Sequence, residues 1–419
     1  MPYLCLVSHG QPSANPRLVR DAGILAEAGH NVRVVAAQLI PGLIAHDTSL
    51  TKVANWKYEP VSFSHRSNGT PSWNYIRARR RIAAALATVW PSEDLVSRAY
   101  GYANPELAVM AAKEPADVFI AYQHNSLPAA WWAANKHQAR VALDAQDLLA
   151  DCSTEPVKLA RQIERRYLKH CHYISTMSTA AANRLQETNG LARTPIVLQN
   201  TSRIAERKGL ASPSDRQPSR EVSLYWFGQT IGVHSRADQV LNAMPLLKTP
   251  TRLTLRGKSD EAFISDLRNR ASALGLSNQL QILPRAEPGQ MVRLAAEHDI
   301  LLGTQPGSDL FNQMALGNKV FTGMMAGLAL ALSDTIAHRE LLAEAPGCGV
   351  LFPDGDVEGL ASQLNHLLCD RRRIETMKLQ AWSLAETRFN WEEESRTLLR
   401  TIDQLLSHSL VGGGLTNHD

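Results

Sequence analysis

The sequence predicts an α/β protein of two doubly wound domains, each a parallel sheet covered by helices on both faces. Three observations carry this prediction. At 419 residues the chain is longer than one ordinary core encloses. Short β-rich runs alternate with helix-length amphipathic stretches, the rhythm of a parallel sheet with helical crossovers. That rhythm stops once, at the polar, proline-containing stretch 202–221, and then begins again.

The first round opens with a strand at Tyr3–Ser8 and a helix over Asn15–Ala28, in which Leu18, Ala22 and Leu25 recur at helical spacing and Gly29 ends the run. Further strands are expected at Asn31–Ala37, Asp117–Tyr122, Arg140–Ala145, Tyr173–Ser178 and Ile196–Gln199. The second round predicts strands at Val222–Phe227, Thr251–Leu255, Leu280–Leu283, Ile300–Thr304 and Leu328–Leu332. Helices at Ala237–Leu247, Glu261–Leu274, Gly289–Glu297 and Phe311–Ala326 separate them, and three more close the chain near Val357–Leu368, Arg371–Arg388 and Glu392–Ser407. The glycine-rich end, 412–419, is expected to fray.

Composition removes several function classes. Hydrophobic residues make up 44% and charged residues 20%, ordinary for a globular protein. The formal charge is +4; residues 1–200 carry 21 Lys/Arg against 15 Asp/Glu, and the rest carries 23 against 25. That surplus suits an anionic substrate or surface and is too weak to point to nucleic acid. Five scattered cysteines form no Cys-x-x-Cys pair, so neither a zinc site nor a disulfide framework is expected. No apolar run approaches the ~18 residues of a membrane span, and the N-terminus shows no signal-peptide pattern. A cytoplasmic location is the expectation.

In open parallel sheets, ligands bind beyond the carboxyl ends of the strands, so the loops there hold the candidates. The first is Ser8-His9-Gly10 with Asn15-Pro16-Arg17, where a helix N-terminus offers free N–H groups to an anion. After the 117–122 strand comes His124; after the 140–145 strand come Asp144 and Asp147, either of which would serve as a general base or bind sugar hydroxyls. In the second half, Gly228 follows the first strand, Arg236 opens the next helix, and Arg256-Gly257-Lys258 ends the second strand. Cations on adjacent loops neutralise a diphosphate. Gly257-Lys258-Ser259 imitates the end of a phosphate-binding loop, but position 252 is arginine where that motif needs glycine. No Gly-x-Gly-x-x-Gly fingerprint occurs, so nicotinamide binding has no support.

Together these segments resemble the GT-B glycosyltransferases of the family 4 type. The resemblance rests on Ala26-Glu27-Ala28-Gly29-His30-Asn31-Val32, on Val197-Leu198-Gln199-Asn200, and above all on Gly317-Asn318-Lys319-Val320-Phe321 with Ala326-Gly327. Pro353-Asp354-Gly355-Asp356 and Phe389-Asn390-Trp391 extend it over nearly the whole chain. It implies two Rossmann-like domains facing a central cleft, an acceptor domain at 1–203 and a donor domain at 204–390, with a last helix in 391–419 crossing back to domain one. It implies transfer of a sugar from a nucleotide-diphosphate sugar to a glycan or lipid-linked acceptor, with the nucleotide-sugar as substrate and no separate cofactor or metal. Gly10, Gly228, Arg236, Lys258, Asn312, Lys319 and Thr322 would face the donor, His124 would approach the transferred sugar, and His9, Asn15 and Arg17 would lie on the acceptor side.

The chain departs from the family at three positions, one of them Ala329, which stands where the family usually has proline after Ala-Gly-x. The family often carries two glutamates eight positions apart on the helix before Ala-Gly; here Met314 and Thr322 stand there. Ser308, Asp309 or Asn312 are alternatives for the ribose contact. The resemblance favours retention of anomeric configuration, while His124, Asp144 or Asp147 as base leaves an inverting route open. The missing glutamates also motivate a non-catalytic GT-B-like binding subunit as an alternative, and a sugar-nucleotide epimerase as a third. Finally, Arg77–Trp90 sets a cationic cluster beside an apolar helical run, which would suit peripheral contact with an anionic membrane, although a core-facing helix with a solvated basic end explains it more simply.

Overall fold

The computed structural model describes residues 1–63, 73–154, 156–217 and 221–407. The glycine-rich tail therefore lies outside the described residues, as does part of the polar stretch 202–221. The chain divides into two compact units: Met1–Thr176 with Ala182–Leu198 and Ser395–Asp419, and Met177–Ala181 with Gln199–Glu394.

The first unit holds a seven-stranded sheet of β1 (Tyr3–Ser8), β2 (Asn31–Gln38), β3 (Lys57–Ser62), β4 (Val118–Tyr122), β5 (Arg140–Gln146), β6 (Ile174–Thr176) and β7 (Ile196–Val197). Its order is β3-β2-β1-β4-β5-β6-β7, and every pairing is parallel. The second unit holds β8 (Val222–Ile231), β9 (Thr251–Ser259), β10 (Leu280–Leu283), β11 (Ile300–Gly303), β12 (Ala329–Ser333) and β13 (Gly349–Phe352) in the order β10-β9-β8-β11-β12-β13, again all parallel. In both sheets the winding reverses beside the first strand, between β1 and β4 and between β8 and β11. Ligands of doubly wound sheets bind at such reversals.

Side-chain alternation along the strands builds the cores. Leu224 and Trp226 of β8, Leu253 and Leu255 of β9 and Leu302 of β11 pack with the helices Ala237–Ala243, Glu261–Ala273 and Val357–Leu368. Their neighbours Tyr225, Phe227 and Leu301 point to the opposite core, against Asn318–Ala326 and Arg371–Thr387. In the first unit, Leu4 and Leu6 join Leu18, Ala22 and Leu25 of the Pro16–Glu27 helix. The final helix, Trp391–Ser407, begins in the second unit, and its Leu398 and Ile402 are buried in that first core.

The structure corrects several local expectations. Lys57–Ser62, read as no element, is the edge strand β3. The segment 228–231, read as a loop, continues β8: after a register shift between Phe227 and Thr230, pairing resumes at Thr230 with Lys258. The helix expected over Phe311–Ala326 is two helices, Leu310–Met314 and Asn318–Ala326. Ala315 turns extended between them, the Met314 carbonyl accepts from Ser178 Oγ at 2.6 Å, and the Ala315 carbonyl accepts from Gln305 Nε2 at 3.3 Å. The stretch 202–221 is no free linker: Ile204 and Leu210 pack on the second unit's core, and Arg207 lies over the Trp382 ring at 4.0 Å. Pro213 closes on Gly327, where φ is +69° and a Cβ would sit 2.6 Å from Pro213 Cγ, so this helix end accepts only glycine.

Ile402 tests the closing helix. Ile402→Ala removes a fully buried side chain from a sheet face it shares with Leu18 and Leu398, and is expected to cost roughly 2–5 kcal/mol in urea unfolding.

Candidate active site

In the first unit the reversal beside β1 brings together the loops after β1, β4 and β5. Gln123, just past β4, has φ +67°, and Gln146, ending β5, has φ +55°. Residues other than glycine seldom adopt positive φ, and both of these lie at the carboxyl edge. The Gln123 amide donates to the Asp144 carbonyl at 2.8 Å and so ties the two strand ends.

Asp144 and Arg17, assigned from sequence to different roles, are partners. The Arg17 guanidinium lies 3.3 Å from Asp144 Oδ1, 3.4 Å from Asp21 Oδ2, and donates to the Leu198 carbonyl at 2.7 Å. Asp144 also accepts from Ser175 Oγ at 2.7 Å and from Gln146 Nε2 at 3.0 Å, and Asp21 accepts from Tyr122 Oη at 2.7 Å. Arg17, Asp21, Asp144 and Ser175 are all buried. Burial pushes the Asp21 carboxyl up to about 6, against the pull of Arg17. The arrangement locks the first helix to β4, β5, β6 and the segment after β7.

His124 is fully enclosed, with Nε2 3.3 Å from Glu164 Oε1 on the Val157–Tyr167 helix. Nothing in the charged run around Glu164 distinguishes it in sequence. Asp147 makes no side-chain hydrogen bond among the described residues; burial, then the Asp144 charge, raise it to about 6, while His124 pulls it down. Asp147 is thus close enough to Asp144 and to His124 to feel the charge of each. His9 is buried, accepts from the Ala103 amide at 3.2 Å through Nε2, and is lowered to about 4 by burial and by Arg80. Asn15 caps its helix, accepting from the Leu18 amide at 3.2 Å, and Gly10 is held by Ser8 Oγ through its amide and carbonyl.

In the second unit the reversal between β8 and β11 gathers most of the remaining candidates. Arg236 sits at φ +51°, its Nε 3.0 Å from Asp354 Oδ1 and its Nη2 donating to Asp354 Oδ2 at 3.0 Å. Asp354 also accepts from the Gly307 amide at 2.9 Å, and Thr304 Oγ1 donates to the Ser235 carbonyl at 2.5 Å, so the loops after β8, β11 and β13 are joined. Lys319 is half-buried; its ammonium lies 4.5 Å from the Trp226 ring centroid and meets no carboxylate among the described residues. Burial lowers it to about 8. Gly228 packs on the same indole, where a Cβ would come within 2.6 Å of the ring. Lys258 is exposed on β9, Arg256 is engaged by Tyr225 Oη and the Pro284 carbonyl, and the Asn312 backbone amide donates to Asp309 Oδ1 at 2.7 Å. Thr322 is buried, with Oγ1 3.4 Å from Ser202 Oγ. Sequence reasoning missed Trp226, the platform under Lys319 and Gly228, because its spacing is that of a core residue. Among the described residues no cluster of His, Cys, Asp and Glu is arranged to hold a metal ion.

Two family models match in succession. Residues 14–200 match the glycosyl transferase 4-like domain and residues 222–370 match the glycosyl transferases group 1 domain. No curated protein matches. Among solved structures, HepE from Anabaena in complex with UDP is similar over 96% of this chain and 100% of its own, with 18% identity and a TM-score of 0.70. A glycosyltransferase from Rickettsia africae covers 97% and 99% at 11% identity and TM-score 0.70. Sucrose-phosphate synthase from Thermosynechococcus elongatus covers 98% and 100% at 12% identity and TM-score 0.70. The protein belongs to the family 4-like glycosyltransferases of the GT-B fold, and is an enzyme of glycosyl transfer.

The two aspartates behave differently when replaced. Asp144→Ala takes one of two carboxylates from the buried Arg17 and leaves Ser175 Oγ without its acceptor, and is expected to cost about 3–5 kcal/mol of stability. Asp147 is held above the ordinary carboxylate range, so folding favours its protonated form and its contribution is lost as pH rises from about 4 to about 6. Asp147→Asn is therefore expected to raise the thermal midpoint at pH 7 and leave it unchanged at pH 4.

Proposed function

We propose that the protein transfers a glycosyl group from a nucleotide-diphosphate sugar to a glycan or lipid-linked acceptor, without a metal ion and with retention of anomeric configuration. The observation that carries the donor reading is Lys319. Arg236 is already matched by Asp354, whereas Lys319 holds a cation beside Gly228 at the β8–β11 reversal with no carboxylate to neutralise it. A diphosphate placed there gains a charge-assisted hydrogen bond in partly desolvated surroundings, which stabilises the departing group. Lys258, Asn312 and Thr322 complete the proposed donor contacts of this unit, and Gly10 is a separate proposed donor residue of the first. HepE has been solved with UDP and with UDP-glucose, which makes UDP-glucose the first donor to test.

On the acceptor side the proposed residues are His9, Asn15 and Arg17, and the proposed catalytic groups are His124, Asp144 and Asp147. The contacts of His9, Arg17 and Asp144 support positioning roles, since each is bonded to protein. Asp147 suits proton transfer best: its carboxyl, raised to about 6, makes no side-chain hydrogen bond among the described residues. A non-catalytic donor-binding subunit is the second reading, favoured by Thr322, a neutral hydroxyl where the family often carries a carboxylate.

Calorimetry with UDP tests the donor site. Lys319→Met is expected to weaken binding roughly ten- to a hundredfold, the worth of a charge-assisted hydrogen bond. Wild-type affinity should fall as pH rises past about 8, where the free ammonium loses its proton, and that limb should vanish in Lys319→Met. Turnover of UDP-glucose that withstands a chelator and yields the retained anomer by NMR supports the full reading. An inverted product removes retention, and nucleotide binding with neither transfer nor donor hydrolysis moves the assignment to the binding subunit.

A further inference from the structure

The Trp73–Val89 helix is amphipathic in the unusual sense: it turns apolar side chains to solvent as well as to the core. Its inner side is Ile76, Ala83 and Ala87, all buried. Its outer side carries Tyr75, Ile82, Leu86 and Val89 at 56%, 60%, 50% and 88% exposure, with Ala78 and Ala85 exposed between them. These positions recur at spacings of three, four and seven, so they form one stripe along the helix. Trp90, at 75% exposure, extends the stripe past the last turn. The basic residues divide by face. Arg79 is bound to Glu106 and to the Tyr102 carbonyl, and Arg80 donates to the Ala99 carbonyl, so both serve the fold. Arg77 and Arg81 are exposed along one edge of the apolar stripe and have no carboxylate partner among the described residues. At the far end, Arg166 donates to the Pro91 carbonyl, next to Trp90. The nearby acids are engaged: Asp94 with Arg98, and Glu93 with Tyr167 Oη.

We propose that this outer face docks on an anionic lipid surface, with Ile82, Leu86, Val89 and Trp90 entering the acyl boundary and Arg77, Arg81 and Arg166 meeting lipid phosphates. The charge complementarity chooses this occupant. A protein partner with an apolar groove would need the stripe alone, whereas a stripe edged by uncompensated arginines and ended by tryptophan matches the headgroup–acyl boundary. The surface is distinct from the transfer chemistry, and vesicle binding is measured with neither donor nor acceptor, so its outcome is separate from that of the transferase reading. It restores the membrane contact that the sequence pattern alone ranked second, because the apolar residues of the run divide between core and solvent.

The test is flotation of the full chain with vesicles of phosphatidylcholine, with and without phosphatidylglycerol, together with light scattering for oligomeric state. Wild type is expected to float with the anionic vesicles, to stay behind with phosphatidylcholine alone, and to lose binding as salt rises. The pair Arg77→Glu and Arg81→Glu should reduce the bound fraction roughly tenfold or more, and the pair Ile82→Ser and Leu86→Ser should do the same while circular dichroism and the thermal midpoint are retained. Leu274→Ser, an exposed apolar residue on another helix, should change nothing. No flotation with anionic vesicles overturns the proposal, as does flotation that both pairs leave intact. So does a dimer in solution that Ile82→Ser with Leu86→Ser dissociates, since a second copy would then be the occupant.

Discussion

A wholly parallel sheet carries apolar residues on both faces, and both sheets of this protein are wholly parallel. Each must therefore be covered twice, and the chain covers them with crossover helices. The alternation Leu224, Trp226 on one side and Tyr225, Phe227 on the other is the local form of that demand. Every crossover leaves its strand at the carboxyl end, so the strand-to-helix loops lie together along one edge of each sheet. Ligands of doubly wound sheets bind along that edge, which is where the candidate residues lie.

The two units use that edge differently. In the first, the reversal beside β1 is dominated by a buried ionic cluster in which Arg17 serves Asp21, Asp144 and the Leu198 carbonyl together. Removing one partner would leave buried charge less well compensated, which is costly in the interior. Asp147 lies near enough to Asp144 and His124 to feel both charges. In the second, the reversal beside β8 joins three loops through Asp354 and leaves one cation, Lys319, on an indole face. The first edge holds buried carboxylates and histidines, and the second holds positive charge on an aromatic face.

The Trp73–Val89 helix breaks the rule that governs the rest of the fold. Elsewhere the apolar stripe of a helix turns inward; here a second stripe turns outward, edged by Arg77 and Arg81. Monomeric proteins rarely maintain such a patch without a surface to set it against. None of the described helices is long and apolar enough to cross a membrane, so contact of this kind would be peripheral.

The sequence by itself determined the fold class, the strands from β1 to β13 other than β3 and β13, and the residues that gather at the carboxyl edges, because period-two and period-3.6 patterning report directly on burial. It did not yield β3, whose charged and proline-bearing run Lys57–Ser62 belongs to a sheet edge, nor the break at Ala315, which exists because Ser178 and Gln305 take up carbonyls there. Only the tertiary structure decided which candidates are engaged and which are not. Arg17 and Asp144 are 127 positions apart, Arg236 and Asp354 are 118 apart, and a local pattern holds no information on whether such charges meet. Lys319 stands out for the same reason: Trp226 lies beneath it and no carboxylate meets it among the described residues, and folding alone brings about both.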